Sequence, residues 1–287
     1  MKNNFEKIYT VFIVLFSIYI LLDTFLLTKS YKVINSVNNN ETNITKDIIE
    51  TNTTYDDGNI NIKINEYYEY DTHIYIADIK INNPSLLKTA FAKNTFGKNI
   101  TEKTSEIAKN NNAIIAINGD YYGVQQKGYV LRNGVIYRKK SKNNEDLVIY
   151  KDGSFEIFKE GNTSLDELLS RGAYNVFAFG PGLIKDGNIS VGEKSKVRKE
   201  QNSNPRTAIG LIDINHYVFV VSDGRTKESK GLSLYELATF LNKFNIKYAY
   251  NLDGGGSSTL YFNNNVINKP SNNNIERSVS DIIYVGY

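Results

Sequence analysis

Three aspartates stand where apolar runs stop. Ala113–Ile117 leads into Asn118-Gly119-Asp120, Tyr217–Val221 into Ser222-Asp223-Gly224-Arg225, and Tyr248–Tyr250 into Asn251-Leu252-Asp253. The last of these is followed by Gly254-Gly255-Gly256 and Ser257-Ser258. Arg206 precedes another apolar run, and Arg277 precedes the final one. If the runs are strands whose ends share one edge, these residues line a cleft rich in carboxylates and guanidiniums. Paired carboxylates are what glycoside cleavage needs: one protonates the leaving oxygen, and the other attacks carbon or activates water. A guanidinium presents a planar fork suited to phosphate. Glycines allow positive φ and close approach, and successive backbone N–H groups can form an anion-binding nest. Carboxylates beside a phosphate clamp suggest a phosphorylated sugar. The competing reading is a set of structural Arg–Asp pairs around an ordinary Asp-Gly turn. Three consecutive glycines weigh against it, because glycine weakens a strand unless the space is used.

Other chemistries lack their residues. His73 and His216 are the only histidines, and a Ser-His-Asp triad would have to recruit His216, which reads as part of a turn. No Gly-x-Ser-x-Gly elbow is present. The absence of cysteine excludes disulfides, zinc-thiolate sites and thiol catalysis. The glycine run has neither the Lys-Ser/Thr of a P-loop nor a dinucleotide fingerprint. Asp and Asn oxygens could suit a structural Ca²⁺, but no EF-hand spacing occurs; no metal and no cofactor are expected. The net charge of +3 argues against nucleic acid as a partner, which calls for a strongly basic face.

The elements that must position these residues are mostly strands. Ile60, Ile62 and Ile64 alternate with polar residues, as do Ile74 and Ile76. Asn133-Gly134 marks a hairpin. Ser164-x-x-Glu167 and Ser233-x-x-Glu236 are capping boxes that open short helices, the first closed by Gly172. A third short helix is expected over Thr101–Asn111, with Thr101 as its cap. Each amphipathic helix should cover one face of a sheet. Gly192–Asn204 is charged and lacks periodicity, which reads as a mobile loop over the site. The expected fold class is α+β, a mixed, largely antiparallel sheet with a few helices packed on it.

Ile8–Thr28 is almost wholly apolar, and a membrane-spanning helix needs about 20 such residues. Lysines flank both ends, and no small-x-small cleavage site follows Leu27. Residues 1–30 are therefore read as an uncleaved signal anchor. The Asn- and Thr-rich stretch 31–58 reads as a flexible linker, and 59–287 as the folded domain. The expected location is the cell membrane, single-pass, with the domain on the extracytoplasmic side.

Six motifs occur in order: Asn118-Gly-Asp-Tyr-Tyr-Gly, Gly180-Pro-Gly-Leu, Pro205-Arg-Thr-Ala-Ile-Gly, Ser222-Asp-Gly-Arg, Gly231-Leu-Ser-Leu-Tyr-Glu-Leu-Ala and Asn251-Leu-Asp-Gly-Gly-Gly-Ser-Ser-Thr. Together they resemble the phosphodiester glycosidase family, over about residues 101–287. The resemblance implies hydrolysis of a sugar–phosphate diester at its glycosidic bond, outside the cytoplasm. Bacterial members often carry an exopolysaccharide-biosynthesis label, which implies envelope glycan processing. It favours Asp253 and Asp223 as essential carboxylates, with Asp253 as acid/base or nucleophile. Asp120 is a third catalytic candidate, at a position the family fills with Asp or Gly. Arg206 would bind phosphate, with Arg225 beside it. Ser257, Ser258 and the amides of Gly254, Gly255 and Gly256 would hold phosphate or sugar. Asn118 and Asn251 would orient substrate or a carboxylate, and Arg277 would be a second phosphate ligand or a partner of Asp253. A different class of function stays open: a non-catalytic, membrane-anchored binder of envelope polysaccharide or phosphodiester polymer.

Overall fold

The computed structural model describes residues 2–21, 31–32, 48–192, 202–271 and 273–287. Among the described residues there are four antiparallel sheets: a two-stranded one pairing Tyr31–Lys32 with Thr95–Phe96, and three larger ones that surround one core. The largest has nine strands, in the spatial order Asn188–Ile189, Gly182–Lys185, Tyr248–Asn251, Arg206–Asp213, His216–Ser222, Thr72–Ile81, Ile60–Glu69, Thr54–Asp56 and Ile49–Glu50. A five-stranded sheet runs Asn265–Val266, Leu260–Phe262, Ala113–Asn118, Asp281–Gly286, Leu87–Phe91. The other five-stranded sheet is built from Val130–Arg132, Val135–Arg138, Glu145–Tyr150, Phe155–Lys159 and Ala173–Phe177.

Side-chain alternation explains the layering. A strand sends every second residue to the same face. Ile60, Ile62 and Ile64 meet Ile79, Ile209 and Phe219 in the central core, together with Ile115, Ile117 and Ile283 of the second sheet and Leu147 and Phe177 of the third. The opposite faces are each covered by one helix. Leu234–Leu241 lays Leu234, Leu237, Ala238 and Leu241 on the large sheet. Thr104–Asn110 covers the second sheet through Ile107 and Ala108, and Leu165–Ser170 covers the third through Leu165 and Leu168. Ser233 and Glu236 close a reciprocal capping box, and Ser164 accepts from the Glu167 amide. The cap of Thr104–Asn110 is Lys103 rather than Thr101.

Several expectations need correction. The ladders between named strands are all antiparallel, so the sheet is not mixed. Residues 48–58, assigned to the linker on composition, carry two strands of the large sheet; the buried Asp57 caps the turn by accepting from the Asn59 and Ile60 amides. His216 lies in a strand, not a turn, with Nε2 2.9 Å from Asp78. The amino-terminal helix Lys2–Leu21 covers most of the apolar run, whose remainder lies outside the described residues. Among the described residues no helix is long and apolar enough to cross a membrane. The greater part of the loop Gly192–Asn204, residues 193–201, also lies outside them.

Antiparallel pairing brings the polar strand ends together. Arg206 pairs with Ser222, Ala208 with Asn251, and Asn118 with Ile282. One strand's end thus lies beside its neighbour's start, and Asn118 of the second sheet meets Thr207 and Asp253 of the first, which gathers chemistry from four sequence regions where two sheets meet.

Candidate active site

Asp253 follows the strand Tyr248–Asn251, and its backbone is fixed from two sides. The Asp253 amide donates to the Gly119 carbonyl (3.2 Å), and the Asn118 side-chain amide donates to the Asp253 carbonyl (2.7 Å). Asn118 is fully buried and saturated: its Oδ1 also accepts from Thr207 Oγ1 (2.8 Å) and the Thr259 amide (3.3 Å). It therefore orients the Asp253 main chain and has no capacity left for substrate.

The Asp253 carboxylate is nearly buried, and its Oδ2 accepts from Ser257 Oγ (2.6 Å) and Arg277 Nη2 (2.9 Å). Arg277 Nε also donates to Ser257 Oγ (2.9 Å), closing a three-residue ring of hydrogen bonds. Burial pushes the Asp253 carboxyl above its ordinary range, while Ser257 and Arg277 pull it back. The Arg277 side chain is 46% exposed, so one end of this ring reaches solvent.

The glycine turn folds against Pro205. The Gly255 amide donates to the Pro205 carbonyl (2.8 Å), and a β-carbon on Gly254 would stand 2.7 Å from that oxygen. Gly255 has φ +64°, and a β-carbon there would lie 3.0 Å from Arg225 Nη2. A β-carbon on Gly256 would lie 3.4 Å from Arg277 Cδ. Two arginines therefore flank the turn, one over each of its last two glycines. Of the backbone amides in the turn, those of Gly255, Ser257 and Ser258 donate to carbonyls within or beside it and are not free to hold an anion. Positive charge at this place comes from side chains. Arg225 is exposed and donates to Asn204 Oδ1 through Nε (3.1 Å) and Nη2 (2.8 Å).

Arg206, expected to bind phosphate, is turned away. It shares the face of Ala208, towards the covering helix, where Nε donates to the Leu232 carbonyl (2.8 Å) and Nη2 to the Asn202 carbonyl (2.9 Å). Its buried guanidinium is bound to main-chain oxygens and ties two loops to the sheet edge.

Asp223 ends the strand His216–Ser222 beside the same Pro205, since a β-carbon on Gly224 would lie 2.7 Å from the Pro205 nitrogen. Its carboxylate is buried and accepts from the Lys269 amide (2.8 Å), Asn268 Nδ2 (3.3 Å) and Tyr75 OH (3.4 Å). Burial raises its pKa. Asn268 Nδ2 also donates to the Ser258 carbonyl (3.1 Å), linking Asp223 to the glycine turn. Asn251 donates to the Gly180 carbonyl (2.7 Å), while its Oδ1 and the Ser258 Oγ are buried without a partner among the described residues.

Asp120 does not join this group as a free carboxylate. Its Oδ2 accepts from the Ala178 amide (2.8 Å) and lies 3.0 Å from Arg132 Nη2, and its Oδ1 accepts from the Tyr122 amide (3.2 Å). Arg132 also donates to Asp281 Oδ2 through Nη2 (2.7 Å) and Nε (3.0 Å), and its guanidinium stacks 4.1 Å from the Phe177 ring centre. All three charges are buried. Two carboxylates share one cation, and burial with repulsion from Asp120 lifts the Asp281 pKa to about 7. The sequence reading missed Arg132 and Asp281, each a charged residue at the end of an otherwise apolar strand whose burial demands an opposite charge. It also missed Asn268 and Tyr75, which no local pattern distinguishes. No group of three or more potential metal ligands occurs among the described residues.

The architecture resembles solved structures. The zebrafish N-acetylglucosamine-1-phosphodiester alpha-N-acetylglucosaminidase catalytic domain, auto-inhibited by its pro-peptide, superimposes with a TM-score of 0.64 at 20% identity, over 91% of this chain and 88% of that one. A hypothetical protein from Synechocystis gives 0.57 at 16% identity, over 79% and 62%. At such identities the likeness concerns the fold. Among curated sequences, the SPbeta prophage-derived protein YomE of Bacillus subtilis is 29% identical over 198 residues, 67% of this chain and 31% of its own length. The human N-acetylglucosamine-1-phosphodiester alpha-N-acetylglucosaminidase is 34% identical over 101 residues, 31% of this chain and 19% of its length. The chain thus spans a third or less of these curated relatives. The family described as phosphodiester glycosidase matches residues 111–286, more than half of the chain and every strand end that supplies the candidate site. The chain belongs to the phosphodiester glycosidase family.

Proposed function

We propose that the protein hydrolyses the glycosidic bond of a sugar-1-phosphodiester. The observation that carries this reading is the place of Asp253: a nearly buried carboxyl of raised pKa, bonded to Ser257 and Arg277, beside a glycine turn flanked by a second guanidinium, Arg225. In the reaction the bond between the anomeric carbon and the phosphate oxygen breaks, and the phosphate monoester leaves with the bonding pair. Water supplies hydroxide to the carbon, and its second proton passes to a carboxylate. Arg277 and Arg225 stabilise the negative charge that grows on the departing phosphate. A phosphate needs less help from an acid than a sugar hydroxyl does, so guanidiniums near the leaving group are the economical arrangement. Asp253 serves as acid/base or nucleophile, and Asp223 stiffens the opposite side of the turn through Asn268.

The apolar segment Ile8–Thr28, the lack of cysteine and the family together support a membrane-anchored protein whose domain lies outside the cytoplasm, acting on envelope or exopolysaccharide glycan. The test is an assay of the full chain in detergent for release of free sugar from sugar-1-phosphodiesters, beginning with the N-acetylglucosamine compound named for the vertebrate relatives. Turnover that vanishes in Asp253→Asn supports the reading. Tight binding of a phosphodiester polymer with no turnover of any diester would replace it with the non-catalytic binder.

A further inference from the structure

Four described residues other than Gly, Asn and Asp have positive φ: Tyr70, Lys93, Tyr121 and Arg225. Arg225 lies over the glycine turn, and Tyr121 lies on its other flank, with the Arg277 guanidinium 6.0 Å from its ring centre. A bulky residue in the left-handed region is a true outlier, and such strain concentrates at functional sites.

The chain around Tyr121 is built to hold it there. On one side Asp120 is anchored by Arg132 and the Ala178 amide, and its Oδ1 reaches across Tyr121 to the Tyr122 amide (3.2 Å). On the other side Tyr122 is buried, stacked on Phe96 (5.1 Å) and edge-on to Phe91 (5.2 Å). Both neighbours are locked inward, while Tyr121 itself has φ +64° and is 37% exposed. Arg277 in turn contacts Asp253 directly. The ring therefore borders the space where a sugar on the Asp253 side of the phosphate must sit.

We propose that Tyr121 is the sugar-recognition platform of this site, stacking its ring on the apolar C–H face of the glycosyl unit. A sugar face of C–H groups complements the negative face of an aromatic ring, and tyrosine presents a broad apolar body with a polar tip. The inference rests on the glycosidase reading given above.

The test compares Tyr121→Gly, Tyr121→Phe and wild type as full chains, with a sugar-1-phosphodiester as substrate and inorganic phosphate as competitor. Tyr121→Gly is expected to raise KM roughly tenfold or more, the order set by uncovering one aromatic side chain, with a smaller change in kcat. Inhibition by phosphate should stay within about twofold, because the arginines are untouched. Its Tm should hold or rise, since glycine suits the left-handed backbone. Tyr121→Phe should keep KM near wild type. An unchanged KM in Tyr121→Gly overturns the proposal. So does a parallel loss of phosphate inhibition, which would make the ring a buttress for Arg277, or a fall in Tm, which would make it structural. If wild type turns over no diester, the glycosidase reading fails by itself. Calorimetric binding of the same diester then decides the platform: weaker binding by Tyr121→Gly supports it, and equal or absent binding by both proteins overturns it.

Discussion

Arg277 Nη2 lies 2.9 Å from Asp253 Oδ2, and the two residues are also joined through Ser257 Oγ. A half-exposed cation thus contacts a nearly buried anion, so the pair sits at the boundary between protein and substrate. Its geometry makes the carboxylate's protonation depend on Arg277.

Asp253→Asn is expected to lower kcat by at least about 100-fold, the usual scale for a group that moves protons or attacks in the transition state. The asparagine can keep the bonds to Ser257 and Arg277, so thermal unfolding should change little. Arg277→Ala should also cut activity and move the pH–rate profile to higher pH on its Asp253 limb, because a pull that lowers the carboxyl pKa is removed. Steady-state rates across pH, alongside thermal melts, check both.

Two of the arginines assigned to phosphate from sequence, Arg225 and Arg206, should separate cleanly. Arg225→Ala should weaken inhibition by inorganic phosphate while leaving stability within about 0.5 kcal/mol, as for an exposed side chain. Arg206→Ala removes one donor from each of the Leu232 and Asn202 carbonyls, which keep a bond from Asn204, and should destabilise by about 1 kcal/mol. Phosphate inhibition constants and denaturant midpoints distinguish them. Equal effects of both on phosphate binding would refute the assignment of Arg206 as a loop tie.

Gly255→Ala places a β-carbon 3.0 Å from Arg225 Nη2 on a backbone at φ +64°. The expected cost is about 1 kcal/mol from the left-handed conformation, plus displacement of Arg225. A lower denaturant midpoint together with a raised phosphate inhibition constant is the predicted result. Gly192→Ala, where a β-carbon meets nothing within 4 Å among the described residues, is the control.

The buried triad predicts a pH-dependent stability. Asp281 has its pKa raised from 3.8 to about 7, chiefly by burial. A raised acid pKa means the folded state holds the proton more tightly than the unfolded state does. Its contribution is therefore complete below pH 4 and is lost as pH rises to about 7, at up to about 1.4 kcal/mol per unit. Other carboxylates act in both directions, so the measurement is a difference: the unfolding free energy of wild type minus that of Asp281→Asn should fall between pH 4 and 7 and then level off. A flat difference would show that Arg132 keeps both acids ionised.

Much was legible locally. The strand ends at Asn118, Ser222 and Asn251 follow from apolar runs that stop at polar residues, and Ser233 and Glu236 announce their helix because capping is a contact three residues long. The antiparallel layers and the glycine turn also rest on alternation and composition. The tertiary structure decided which polar group meets which. Arg132 joins Asp281 across 149 residues, and Arg277 joins Asp253 across 24. Arg206 bonds to main-chain carbonyls because strand alternation sends it to the face of Ala208, while Thr207 on the opposite face reaches Asn118. Alternation says that neighbours point apart. Only the packing of the other sheets decides which face becomes the interior, and with it which charges must find partners and which are left for a ligand.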